Sequence, residues 1–493
     1  MWSGIREREN GLDRVGTIDT DRETPNKWLT LLTVAINGFL IILDISIVNI
    51  SFPTLTRVFN TEPSIVLWVS VVYALVTVGL MLILGRIGDI YGRKKIFILG
   101  YVFFTVGLIL CSLSQSMTQL ILSRIVQGIG GAMNMALSMA IVTDAFPDRE
   151  RGKALGIASA VFAVGPLLGF TIGGFLLDTF GWRSLFYTRV PICMIGILMA
   201  WKFLRENKVP NISTKLDYLG TATLFGSLSC LLLFLNMGGR SGFLSQTVLT
   251  LGITAVVLFA LFLLQEKKTD QPVADLNLFK NRLFMGGTIS LILFGLVQSS
   301  HFFLLPFYLI SGAGFTSSTA GLFMAVPPVL FSSLAPVSGW LSDKLGSRPL
   351  CTVGFSFSCL GFFLCSRFNV DSSTSQIILG LAVFGMGGSL FFTPNASLLM
   401  GSAPKERLGT VGALVTTLRQ VGMSAGIALA GMIFTIRQVF HTSEMAENNL
   451  EPEILSRLSV IGGFQDTLMV AVFLSFLGIL ASAFIGLKSQ SRA

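Results

Sequence analysis

Gly85-Arg86-Ile87-Gly88-Asp89-Ile90-Tyr91-Gly92-Arg93 stands between two long apolar runs. It returns in the second half of the chain as Gly339-Trp340-Leu341-Ser342-Asp343-Lys344-Leu345-Gly346-Ser347-Arg348. The echo extends beyond this loop. Pro147, Gly152, Gly165, Gly169 and Gly174 recur as Pro404, Gly409, Gly422, Gly426 and Gly431, each about 257 positions further on. Such spacing marks a parallel duplication of one structural unit.

The composition says what that unit is made of. Of 493 residues, 52% are hydrophobic and only 12% charged, and the mean hydropathy is +0.75. Soluble domains carry about 25% charged residues. The apolar residues form runs of about 20, long enough to cross a hydrocarbon core. In lipid the backbone must satisfy its own hydrogen bonds, so such runs are helices. The short alternating segments of a membrane barrel are missing from the sequence.

Fourteen spans are predicted: Trp28–Pro53, Ser64–Leu84, Lys95–Leu113, Leu120–Ala145, Gly152–Leu177, Leu185–Phe203, Leu219–Met237, Val248–Leu264, Met285–Ile310, Ala320–Leu341, Thr352–Cys365, Ile377–Met400, Val411–Phe434 and Thr467–Leu487. The duplication divides them into a six-helix bundle over 28–204, two inserted helices with linkers over 205–283, and a second six-helix bundle over 284–487. Tails of 1–27 and 488–493 flank these units. The first tail lacks the apolar core of a secretory signal, so the first span serves as its own uncleaved signal.

Of the 35 lysines and arginines, about 26 fall on one set of loops and tails, about 6 on the other and about 3 within spans. The rich set includes Arg86–Lys95, Arg149–Lys153, Lys202–Lys215 and Lys267–Arg282. The positive-inside rule places it, with both termini, in the cytoplasm of a cell whose inner membrane the chain spans. The same rule accounts for the net charge of +9 without nucleic acid. The long opposite loop, Ile436 to Asp466, is acidic and faces outward. The six cysteines lie in or beside apolar runs without CxxC spacing, which makes them small core residues and not metal ligands.

These loops resemble the signature of the major facilitator superfamily, and the resemblance covers nearly the whole chain. Gly85-x-Ile87-Gly88-Asp89-Ile90-x-Gly92-Arg93-Lys94 is similar to that superfamily's loop between its second and third helices. Leu43-Asp44-Ile45-Ser46-Ile47-Val48-Asn49-Ile50-Ser51-Phe52-Pro53 resembles the first span of the 14-helix drug:proton antiporters of the EmrB/QacA type. Arg124-Ile125-Val126-Gln127-Gly128-Ile129-Gly130-Gly131 resembles their proton-transfer motif. Gly156, Gly165-Pro166, Gly169 and Gly173-Gly174 resemble their antiporter motif. The implied fold is all-α and multi-pass, two six-helix bundles plus two inserted helices. The implied activity is proton-coupled efflux of small lipophilic compounds by alternating access, with membrane-fusion proteins as candidate partners. Two positions depart from the family pattern: Ser184 is normally aromatic and Arg189 normally asparagine. A positive charge at 189 weighs against a cationic substrate. It favours one physiological compound, such as a lipid, siderophore or acid, or a zwitterion.

Asp44 is the one acid deep inside a span, where ionised carboxylates are rare and usually functional. Burial favours the neutral acid and a neighbouring cation the carboxylate, so a group caught between them can cycle a proton. The structural alternative is a polar anchor tied to Asn49 or the backbone. Arg124 lies at a depth that allows it to meet Asp44; the alternative is an arginine that snorkels to the interface. Gly165, Pro166, Gly169, Gly173 and Gly174 form a small-residue side of the fifth span that suits close packing or gating. Gly85, Asp89, Gly92, Arg93, Asp343 and Arg348 form a cytoplasmic latch, or simply a topology signal. Asn49, Gln127, Arg189, Gln298, His301, Asn395, Arg419 and Gln420 are candidates for the cavity wall, with His301 equally a packing residue.

Gly128-x-Gly130 and Gly385-x-Gly387-Gly388 lie inside apolar spans without a preceding strand, so they are not nucleotide-binding turns. No Walker A sequence is present, which removes ATP as a direct energy source. No cofactor, metal or catalytic residue is expected. With two histidines and no nucleophile–base pair, the chain does not read as an enzyme. A membrane sensor that has lost transport would not need Asp44 and Arg124.

Overall fold

The computed structural model describes residues 26–206, 218–268, 278–402, 408–446 and 451–484. In chain order the helices are α1 Lys27–Asn49, α2 Phe52–Val58, α3 Pro63–Val66, α4 Trp68–Tyr91, α5 Arg93–Leu113, α6 Met117–Ala145, α7 Asp148–Phe180, α8 Ser184–Tyr187 and α9 Val190–Phe203. Then come α10 Tyr218–Ser241, α11 Gln246–Glu266, α12 Arg282–Pro306, α13 Ser317–Leu345, α14 Ser347–Cys365, α15 Thr374–Gly401, α16 Leu408–Ala446 and α17 Pro452–Phe484. Among the described residues, 13 helices are long and apolar enough to span a bilayer, and α10 adds a shorter apolar stretch, Ala222–Leu235. The chain is a multi-pass membrane protein.

The duplicated loop has the same backbone in both copies. Gly92, between α4 and α5, has φ +106°, and Gly346, between α13 and α14, has φ +85°. A side chain is strained at positive φ, and the spacing of this loop puts a glycine where each helix must reverse into the next. Proline acts in the same local way. The first span ends at Asn49 rather than running to Pro53, because Pro53 instead opens the short helix α2 in its first turn. After Pro306 at the end of α12 the chain widens into a π-helical turn, Phe307–Gly312.

One expected loop is largely helix. The sequence suggests an acidic connection over 436–466, but α16 continues to Ala446 and α17 starts at Pro452. Loss of hydropathy marks where lipid ends, not where a helix ends. Arg437 Nε donates to Asp466 Oδ2 at 2.7 Å, and His441 Nε2 lies 2.7 Å from the same oxygen, one turn further along. Gly463 lets the two extensions approach, since a Cβ there would stand 3.2 Å from the Phe434 carbonyl oxygen.

The inserted helix α10 lies along the seam of the two bundles. Leu228, Leu231 and Leu232 face Ala74, Leu75 and Val78 of α4 and also Gln420, Val421, Ser424 and Ala425 of α16. The described hydrogen bonds, ring contacts and closest glycine approaches made directly between bundles lie in the half that bears Asp178. Phe170 stacks on Phe302 at 5.8 Å, and Phe52 meets Phe303 at 5.6 Å. Gly174 abuts the backbone of Ser317, and Gly321 that of Phe170. The bundles therefore touch each other directly in that half.

Candidate functional site

Asp44 sits seventeen residues along α1 and has no solvent exposure. Arg124 Nη1 donates to its Oδ2 at 2.6 Å. Gln127, one turn beyond Arg124 on α6, donates from Nε2 to Oδ1 at 2.9 Å and accepts from Arg124 Nη1 at 2.6 Å. Arg189 also donates to Oδ1 through its Nη1. Each arginine is steered by a carbonyl: Arg124 Nε donates to Val69 at 2.8 Å, and Arg189 Nε to Leu185 at 2.7 Å. The Arg124 guanidinium lies 4.2 Å from the centre of the Tyr73 ring. Gly131 leaves room for that ring, since its Cβ would stand 2.9 Å from the Tyr73 hydroxyl.

The cluster shows where these side chains lie. Arg124 does not snorkel. Asn49 is not the anchor of Asp44, because its Oδ1 accepts from Ser70 Oγ at 3.0 Å instead. Gln127 and Arg189, read as cavity candidates, are enclosed in the cluster at 0% and 3% exposure. One carboxylate and two guanidiniums give the cluster a formal charge of +1. The Nη2 atoms of both arginines are buried with no partner among the described residues.

The glycines of α7 divide between two neighbours. A Cβ at Gly165 would stand 3.2 Å from Leu43 N, at Gly169 2.9 Å from the Leu43 carbonyl oxygen, and at Gly173 2.8 Å from Ile47 Cγ1. All three face α1 inside the first bundle. Gly174, on the adjoining face, meets the other bundle at Ser317. Pro166 lies within the helix. One turn beyond Gly174, Asp178 accepts from the backbone N–H of Ser317 at 3.0 Å and of Ser318 at 2.7 Å, and from Ser318 Oγ at 2.6 Å. The sequence reading missed Asp178, because a carboxylate at a span's end looks like ordinary interface polarity.

At the opposite end, Arg93 binds Asp89 Oδ1 at 2.7 Å and Asp144 Oδ2 at 2.5 Å, joining α4, α5 and α6. Asp144 was not anticipated. In the second copy, Arg348 donates to the Ala483 carbonyl instead of pairing with Asp343. In this conformation both arrangements stay within one bundle.

The candidates of the second bundle separate by exposure. His301 is fully buried among Phe384, Phe302 and Phe362, 4.2, 6.0 and 5.9 Å between ring centres, and its nitrogens have no partner among the described residues. Asn395 is 1% exposed. Gln420 faces α10 at the seam. Gln298 is half-buried and Arg419 is exposed. Arg419 stands over the Phe392 ring at 5.9 Å.

The description Major Facilitator Superfamily matches residues 34–427. The riboflavin transporter RibZ of Clostridioides difficile (strain 630) is 36% identical over 423 residues, covering 85% of this chain and 91% of that protein. The multidrug resistance protein Stp of Mycobacterium tuberculosis (strain CDC 1551 / Oshkosh) is 28% identical, covering 82% and 75%. A bacterial homologue of the human lysosomal transporter Spinster, in an inward-facing and unoccupied conformation, superposes with a TM-score of 0.65 at 15% identity, covering 94% of this chain and 98% of that one.

Proposed function

Because the chain belongs to the major facilitator superfamily and is a transporter, not an enzyme, we propose that it exports small lipophilic compounds in exchange for protons. The observation that carries this reading is Asp44, a carboxylate sealed at 0% exposure and held by Arg124, Arg189 and Gln127. A buried ion pair with this many partners is a costly way to stabilise a bundle. It is a suitable way to hold a group whose charge changes during a cycle, because protonation would release two arginines at once. Resemblance to multidrug resistance proteins supports efflux as the direction.

In this reading the bundles 28–204 and 284–487 rock about the seam. The basic end faces the cytoplasm of a cell whose inner membrane the chain spans, with both termini on that side. Asp178, Gly174 and Gly321 then join the two bundles on the outer side. The Asp89–Arg93–Asp144 group lies at the inner rim, where it can re-pair when the bundles close.

The test is efflux of a fluorescent lipophilic substrate from vesicles with an imposed pH gradient, normalised to inserted protein. Asp44→Asn keeps the size but cannot ionise, and it should abolish gradient-driven efflux. Asp44→Glu should retain a fraction, which guards against a folding defect in the first variant. Full coupled efflux by Asp44→Asn removes the mechanism.

A further inference from the structure

The second bundle brings a cation and two rings together on one surface. Arg419 lies eleven residues along α16, about 16 Å by helical rise, and so near mid-depth. It is exposed, and among the described residues no carboxylate pairs with it. Its guanidinium stands over Phe392. Phe392 meets Phe331 of α13 edge-on at 5.7 Å. A Cβ on Gly388 would lie 3.4 Å from Phe331 and 3.6 Å from Gln298 Nε2, so the absent side chain keeps a gap between ring and amide. Four helices, α12, α13, α15 and α16, thus contribute one surface: a cation, a primary amide and two half-buried rings.

Among the described residues no acid balances it. Asp44 is already outnumbered by Arg124 and Arg189 and sealed within the first bundle. The other described carboxylates lie at helix ends or in connections, except Asp466, which Arg437 and His441 engage. A lipophilic cation entering here would meet an unpaired positive charge in a low-dielectric setting and no counter-charge. A guanidinium left in that setting favours an anionic partner.

We infer that the transported compound is an aromatic organic anion, its carboxylate or equivalent acid group held by Arg419 and its ring packed on Phe392 and Phe331. Gln298 supplies a neutral hydrogen bond beside the ring. The inference names a substrate class for the transport cycle proposed above and rests on that reading for the word transported. The binding site itself does not depend on proton coupling.

The experiment is equilibrium binding to the purified full-length chain at one pH, without a gradient, followed by fluorescence anisotropy. The probes are carboxyfluorescein, an aromatic anion, and ethidium, an aromatic cation. Carboxyfluorescein should bind, with affinity falling about tenfold or more in Arg419→Gln, the loss expected for one charged hydrogen bond. Arg419→Lys should recover part of that loss, and its recovery shows that charge, not misfolding, is at issue. Phe392→Leu should weaken carboxyfluorescein and leave the inhibition constant of decanoate, an anion without a ring read by its displacement of carboxyfluorescein, unaffected. Equal carboxyfluorescein affinity in the parent chain and Arg419→Gln overturns the inference, as does tighter binding of ethidium than of carboxyfluorescein to the parent chain. Arg419-dependent anion binding without gradient-driven efflux would sink the proton-coupled reading and leave this site standing. Coupled efflux of ethidium unaffected by Arg419→Gln would do the reverse.

Discussion

Asp178 of α7 caps the first turn of α13 in the opposite bundle, accepting from both the backbone N–H and the hydroxyl of Ser318 at 2.7 and 2.6 Å. An N-cap is usually supplied by the helix's own chain and satisfies amides left free in the first turn. Here Thr316 caps the Thr319 N–H from within the chain segment, and Asp178 adds a second acceptor from the other half of the molecule, for Ser317 and Ser318. That second cap therefore exists only while the bundles touch there, and its strength enters the balance between the two conformations.

Removing it should shift that balance. Losing a capping side chain costs about 1 kcal/mol, roughly a fivefold change in a two-state equilibrium. Asp178→Ala should therefore raise the reaction rate of a cysteine placed at Ser317 with an impermeant thiol reagent added outside, above the parent chain's background. An unchanged rate would show that the cap contributes nothing to closure.

The two glycine faces of α7 should fail differently. Gly174→Val puts methyl groups into the Ser317 backbone, so the protein should insert normally and lose about tenfold in transport because the state with the bundles touching there is blocked. Gly165→Val presses on Ile42 and Leu43 of the same bundle and should instead lower yield and melting temperature. Normal efflux by Gly174→Val, measured per inserted molecule, would remove the role assigned to that contact.

Within the buried cluster, the arginines should be unequal. Arg124→Ala removes the hydrogen bond to Asp44, the bond to Gln127 and the stack on Tyr73 together. Breaking a buried pair this way costs about 3–5 kcal/mol. Arg189→Asn leaves Asp44 held by Arg124 and Gln127 and should cost clearly less. Thermal unfolding of the purified variants ranks them, and the opposite order would contradict the geometry.

Orientation is testable separately. Reporters active only in the cytoplasm should work when fused after Lys95, Lys153 or Arg407, and Glu453 should be labelled from outside when replaced by cysteine. Labelling of position 453 only from the cytoplasmic side would invert the assignment.

The rarity of intramembrane charge made Asp44 and Arg124 readable as a pair, because each is expensive alone. The duplicated glycines made Gly92 and Gly346 readable as turns. Which way a side chain points was less accessible. Arg419 and Gln420 are neighbours about 100° apart on a helix, so the sequence does not say which way each points, and packing of Gln420 against α10 separates them. Arg189 was noticed for its charge, yet its target lay across the bundle, on Asp44. Asp178 gave no sign, since its partners are backbone amides, which every sequence has. The α16–α17 extension was missed because hydropathy reports the solvent and not the helix.

One helix connects these parts. α7 lays Gly165, Gly169 and Gly173 against the stretch of α1 that carries Asp44, and a quarter-turn away presents Gly174 and Asp178 to α13. The contacts fall on the Leu43 backbone and on the short or β-branched side chains of Ile42, Ser46 and Ile47, which leave little slack to absorb movement. A small displacement of α1 must therefore travel along α7 as a rigid-arm motion, with the bend permitted at Pro166 as its flexure. The molecule has the mechanics of a rocker arm, in which the play between the parts, set by missing methyl groups, fixes how little travel is lost.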